Sequence, residues 1–205
     1  MLKILLISFL SLTALFAAPI HKAATDGNIK ALEVELTDGI DVNLQNKRGQ
    51  TALVLAVYNE HLDAVELLLR KNAKPNIKME NGQTAIFIAA YLGKNKMMMS
   101  LLQKGAILNL SDKKGETPLH RAAEGGSASA VKVLLENGAK IDVVNDHNMT
   151  SMYVAAQMGN EDAVWALVKA GASNEPISDE EMTASEVADE EDYGRIVKII
   201  EKYAK

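Results

Sequence analysis

From residue 18 onward, apolar and polar positions recur along this chain with a period of 33 residues. Thr51, Thr84, Thr117, Thr150 and Thr183 stand in register, and Ala18 fills the same slot one period earlier. The segments that follow align as "TALVLAVYNEHLDAVELLLRKNA", "TAIFIAAYLGKNKMMMSLLQKGA", "TPLHRAAEGGSASAVKVLLENGA" and "TSMYVAAQMGNEDAVWALVKAGA". Within one unit, Thr117 reads as a helix N-cap and Pro118 suits the first helical position. Leu119, Ala122 and Ala123 line one face, with alanines admitting a neighbouring helix closely. Gly126, like Gly93 and Gly159, closes this first helix. A second helix follows, with Val131, Leu134 and Leu135 at i, i+3 and i+4 as its buried stripe. Gly39, Gly105, Gly138 and Gly171 supply the left-handed position after it. A short extended stretch such as "AKIDVVNDHN" then doubles back toward the next threonine. Each unit predicts helix, turn, helix and hairpin, and none can bury its apolar side alone. A fixed period of this length means a solenoid of stacked units.

These residues identify a resemblance. The chain resembles the ankyrin repeat, whose 33-residue unit carries a T-P-L-H-x-A core. "TPLHRAA" at 117–123 matches in full and "IHKAA" at 20–24 in part. The resemblance covers about residues 18–205 and implies an all-α array. Its repeats fall at about 18–50, 51–83, 84–116, 117–149 and 150–182, with a cap at 183–205. It also implies that His120 serves architecture, hydrogen-bonding within and between repeats, rather than catalysis beside Arg121. The register puts Val54, Phe87, Tyr153 and Glu186 in the slot of His120, and no catalytic partners gather around it in the sequence.

The first residues break the pattern. "MLKILLISFLSLTALFAAP" has one basic residue and then an uncharged apolar run from Ile4 to Ala18. That run is shorter than the roughly 20 residues of a membrane-spanning helix. It predicts a signal peptide at residues 1–17, although Leu15 is large for the −3 position of the cut and Pro19 follows closely. A retained N-terminal anchor is the other reading. Export followed by release, with no stable membrane anchoring afterwards, is the expectation.

Composition narrows function without naming it. Hydrophobic residues make up 48% of the 205 and aromatic ones 4%, a balance suited to packed short helices rather than a β-sandwich. A net charge of −5 argues against nucleic acid as a partner. With no cysteine, disulfides, thiolate catalysis and cysteine-based metal sites are excluded. No HExxH, GxSxG, phosphate-binding Gly-rich loop or EF-hand pattern appears, so no cofactor and no enzyme activity are predicted. His21, His61, His120 and His147 lie in different repeats without metal-ligand spacing. In "MMM" at 97–99, Met98 aligns with the core positions Val65, Val131 and Val164, and Met99 points outward. The acidic stretch 179–192 holds eight carboxylates and reads as the solvated face of the last unit; calcium or a basic partner is the sharper alternative. Asn148-Met149-Thr150, with Asp146 before it, matches an N-glycosylation acceptor, yet Asn148 also stands where Gly49, Gly82 and Gly115 make the turn. "NLS" at 109–111 is a weaker match.

Function must then lie on the surface. The period makes outward positions into ladders. One reads Thr25, Tyr58, Tyr91, Glu124, Gln157, and its paired tyrosines suit a partner anchor, on the concave side implied by the resemblance. The hairpin tips read Arg48, Asn81, Lys114, His147, with Lys47 and Lys113 alongside, a mildly basic rim. The two tyrosines could instead pack on each other. Trp165 shares a ladder with Glu33, Glu66, Lys132 and Lys198, normally solvated positions. The prediction is a monomeric, exported interaction module, bacterial and periplasmic or secreted, with a protein partner. Some bacterial periplasmic proteins of this kind are associated with haem or oxidative-stress enzymes. An immunity or inhibitor protein that blocks a toxin is the alternative, and a hydrolase hidden in the array is a third.

Overall fold

A computed structural model of the chain describes residues 18–175 and 182–204. The expected leader at 1–17 and residues 179–181 of the acidic stretch lie outside them. The fold is all-α, with no strand among the described residues. Among the described residues, twelve helices follow one another as six pairs: α1 Pro19–Thr25 and α2 Ile29–Thr37; α3 Ala52–Tyr58 and α4 Leu62–Arg70; α5 Ala85–Tyr91 and α6 Asn95–Gln103; α7 Pro118–Glu124 and α8 Ala128–Glu136; α9 Ser151–Gln157 and α10 Glu161–Lys169; α11 Ala184–Glu190 and α12 Gly194–Tyr203. Of the extended connections, only an antiparallel bridge between Val144 and Thr150 has strand pairing among the described residues.

The first helix of every pair has seven residues, too few to persist alone in water. Stacking supplies the stability. Ala52, Ala56, Ala89, Ala90, Ala122, Ala123, Ala155 and Ala156 are fully buried, and the absence of larger side chains lets backbones approach. At every step the first helices make more extensive contact with one another than the longer second helices do. The first-helix layer is therefore the more tightly packed of the two. Closest of all are α5 and α7, where a Cβ on Gly125 would collide with the Tyr91 carbonyl oxygen.

The second helices bury the expected stripe, with one correction. Val131 and Leu134 are fully buried, but Leu135 is only half-buried, because the gap between α8 and α10 leaves one side of it open. Met98 is buried and Met99 exposed, as the register requires. The turn after each second helix uses positive φ at Gly39, Asn72, Gly105, Gly138 and Gly171, so asparagine can stand in for glycine there.

A second ladder ties the repeats together. The side-chain oxygens of Asn43, Asn76, Asn109 and Asp142 accept from the backbone N–H of Lys74, Ile107, Lys140 and Ser173, each one repeat on. Asn109 also donates to the Gly138 carbonyl. The amide in "NLS" is therefore a structural tie. At the tips, the Arg48, Asn81 and Lys114 carbonyls accept from the N–H of Glu80, Lys113 and Asp146. These bonds fix the spacing at which outward side chains are displayed.

Candidate interaction surface

The slot three residues into each first helix is filled in chemically different ways. Thr117 caps α7, and His120 completes the cap: the Thr117 N–H donates to His120 Nδ1 over 3.2 Å, and the threonine hydroxyl lies 2.9 Å from the same nitrogen. His120 Nε2 donates to the Met149 carbonyl at 3.0 Å, joining α7 to the hairpin that follows. Both ring nitrogens are thus committed, the neutral tautomer is fixed, and burial holds the pKa below the ordinary imidazole value despite the favourable Met149 bond. His21 donates from Nε2 to Leu44 O, and His61 from Nε2 to Thr25 O. No cluster of three metal-binding side chains occurs among the described residues.

Outside this interior slot, the ladder on the last turn of the first helices faces solvent at Thr25, Tyr58 and Tyr91 and is half-buried at Glu124 and Gln157. Tyr58 is 62% exposed and Tyr91 42%. The tyrosines do not stack on each other. The face of Tyr91 is taken instead by the Arg121 guanidinium, 4.9 Å from the ring centroid. Arg121 is held between the Glu124 carboxylate and Glu116 at 3.5 Å. Burial raises the Glu116 pKa against the lowering effect of Arg121. Tyr91, Arg121, Glu116 and Glu124 therefore form one patch in which the guanidinium is matched by two carboxylates, so Arg121 is no free anion clamp. Arg48 and Lys114 are exposed at the hairpin tips, held there by the backbone ladder. Asn148 is exposed with φ of 54°, in the left-handed geometry of Gly49, Gly82 and Gly115. Thr150, the third residue of its acceptor tripeptide, is buried, and its hydroxyl caps α9 by accepting from the Tyr153 N–H.

A family model described as ankyrin repeats, three copies, matches residues 4–79, 20–112, 68–145 and 93–178. The chain belongs to the ankyrin-repeat family. The first match begins inside the expected leader, at residue 4. No curated protein matches the chain. Within the ankyrin array, Thr117 caps its helix as the sequence predicted, and His120 bonds within its own repeat, to Thr117 and Met149.

Two features of this ankyrin array escape a residue-by-residue reading. Arg121 stands in the slot of Lys22, Leu55, Ile88 and Val154, and only the approach permitted by Gly125 sets it on Tyr91. Trp165, in a ladder with Glu33, Glu66, Met99, Lys132 and Lys198, packs edge-on against Tyr203 of the last helix, with ring centroids 5.1 Å apart and planes at 88°. Lys169 Nζ lies 4.5 Å from the first ring centroid and 4.7 Å from the second.

Proposed function

We propose that this chain is a non-enzymatic module that holds a partner protein on its concave face, with Tyr58 and Tyr91 as anchors. The single observation that carries this reading is the pair of exposed tyrosines on successive first helices, Tyr91 stiffened by Arg121. Aromatic rings held rigidly lose little entropy on binding, and such residues dominate interface energetics. Glu124 and Gln157 continue the ladder, and Arg48 and Lys114 form a basic rim at the tips, so the fitting partner has an apolar spot with acidic edges. The ankyrin family supports protein binding in general. Export is part of the proposal: residues 1–17 act as a leader, and the mature chain works beyond the cytoplasm. N-terminal sequencing of the protein from its source cell should find a start at or near Ala18; an intact Met1 in cytosol overturns export.

The binding test uses residues 18–205 as bait in extract from outside the cytoplasm. Tyr58→Ala/Tyr91→Ala should weaken retention of the captured protein by on the order of 30-fold or more, at the scale of about 2 kcal/mol for an anchor residue. Its helical circular dichroism should not change. Undiminished retention by the folded double variant overturns the proposal. Loss of an enzyme activity in the captured protein on binding would identify the chain as an inhibitor.

A further inference from the structure

The second-helix layer carries a groove of its own. It runs between α8 and α10, about 620 Å³ in volume, on the side away from the tyrosine ladder. Ala166 and Ala170 contribute small apolar surface to it, and Leu135 and Trp165 bring bulk. Lys132 and Lys169 are its cations, and Glu136 its carboxylate, 3.8 Å from Lys132 in a solvent-exposed pair. Lys202 adds a third positive charge over the neighbouring Tyr203 ring, 5.0 Å from its centroid. Exposed pairs of this kind hold little energy, so Lys132 remains open to a better partner.

Three observations converge here. Trp165 remains 40% exposed in a ladder whose other members are Glu33, Glu66, Met99, Lys132 and Lys198, and it is the aromatic one among them. Its ring is fixed by the contacts with Tyr203 and Lys169 and needs no ordering to receive a ligand. The rim is positive on a chain whose net charge is −5. We infer that this groove is a second docking site, for an acidic peptide segment of a partner protein that inserts a bulky aliphatic side chain beside Trp165. Its carboxylates meet Lys132 and Lys169. An anionic bilayer would also attract a tryptophan flanked by lysines. It fits less well, because the apolar lining lies in a groove between two helices, which an extended peptide can enter and a bilayer surface meets only at the rim.

Trp165 is the only tryptophan in the chain, so its fluorescence reports the groove directly. The probes are a short capped peptide of glutamate and leucine, its lysine–leucine counterpart, and phosphatidylglycerol vesicles. The glutamate peptide should shift the emission to the blue, saturably and less strongly at high salt. Lys132→Glu/Lys169→Glu should weaken that response by about tenfold or more. Lys132→Gln, which leaves Lys169 in place, should weaken it less. Tyr58→Ala/Tyr91→Ala should leave it unchanged, which separates this site from the concave face whether or not the proposal for that face holds. No response to the glutamate peptide, an equal response to the lysine peptide, or a response to vesicles alone overturns the inference.

Discussion

At the third position of its first helices the array places Val54, Phe87, His120, Tyr153 and Glu186. Four residues further along the same helices it places Tyr58, Tyr91, Glu124, Gln157 and Glu190. Both series vary widely, but under different constraints. With His21 of α1 the inner slot has six members, and five of them are at most 4% exposed, Glu186 being the exception. His120 bonds the cap and the next hairpin, Glu186 accepts from the Thr183 N–H at 2.8 Å, and Phe87 fills its site with carbon alone. That last solution has a cost, since the Thr84 hydroxyl beside it is buried with no hydrogen-bond partner. The outward residues keep a solvent-facing side, even where Arg121 engages Tyr91 and Glu124. Chemical variation on the inner slot is absorbed by packing and bonding; on the outer slot it changes the surface the array presents.

The largest effect expected from breaking the inner series is at Phe87, which is fully buried. Phe87→Ala should destabilise by about 3–5 kcal/mol, read from urea unfolding. A loss below about 1 kcal/mol would mean that the neighbouring repeats collapse to fill the site.

His120 gives a pH-dependent contribution of definite sign. Burial lowers its folded pKa, so the unfolded chain takes up the proton first. Its contribution is complete above the ordinary imidazole pKa of about 6.5 and declines as pH falls through the lower folded value. Glu116 works oppositely: its raised carboxyl pKa makes the folded chain bind the proton first, which adds stability as pH falls. Comparing the urea midpoint of the natural chain with that of His120→Val at neutral and mildly acidic pH isolates the histidine. The difference should shrink or reverse on acidification, and a constant difference refutes the assignment.

A smaller contrast sharpens the comparison within one residue type. The Thr51 hydroxyl accepts from the Val54 N–H at 3.3 Å, whereas the Thr84 hydroxyl has no hydrogen-bond partner. Thr51→Ala should cost about 1 kcal/mol as a lost cap. Thr84→Ala should cost distinctly less, and equal losses would show that the hydroxyl bond is immaterial at both sites.

Much of this was legible in the sequence, because a 33-residue register carries threonine caps, left-handed turns and buried stripes in fixed columns. Asn43, Asn76, Asn109 and Asp142 stood in such a column too, and their shared role could have been found there. The Arg121 patch as a whole could not. Arg121 and Glu124 are an i,i+3 pair on α7 and were readable as one, but the seating of Arg121 on the Tyr91 ring joins α7 to α5 where Gly125 lets the two helices close. Tyr203 likewise follows Trp165 by 38 residues, outside the period, because α12 has ten residues where the earlier second helices have nine. Periodicity gives the columns; contacts between columns depend on how closely each pair of repeats approaches.

The five tyrosines offer an internal control for where the partner binds. Tyr58 and Tyr91 lie on the outward first-helix ladder, Tyr153 is buried, and Tyr193 and Tyr203 are exposed in the last repeat. Side-chain oxidation by a brief radical pulse, followed by mass spectrometry, reads all five in the free array and in its complex with the captured protein. Binding on the outward ladder predicts marked protection of Tyr58 and Tyr91, unchanged reactivity at Tyr193 and Tyr203, and slow reaction at Tyr153 in both states. Protection confined to Tyr193 and Tyr203, with Tyr58 and Tyr91 as reactive as before, would contradict it.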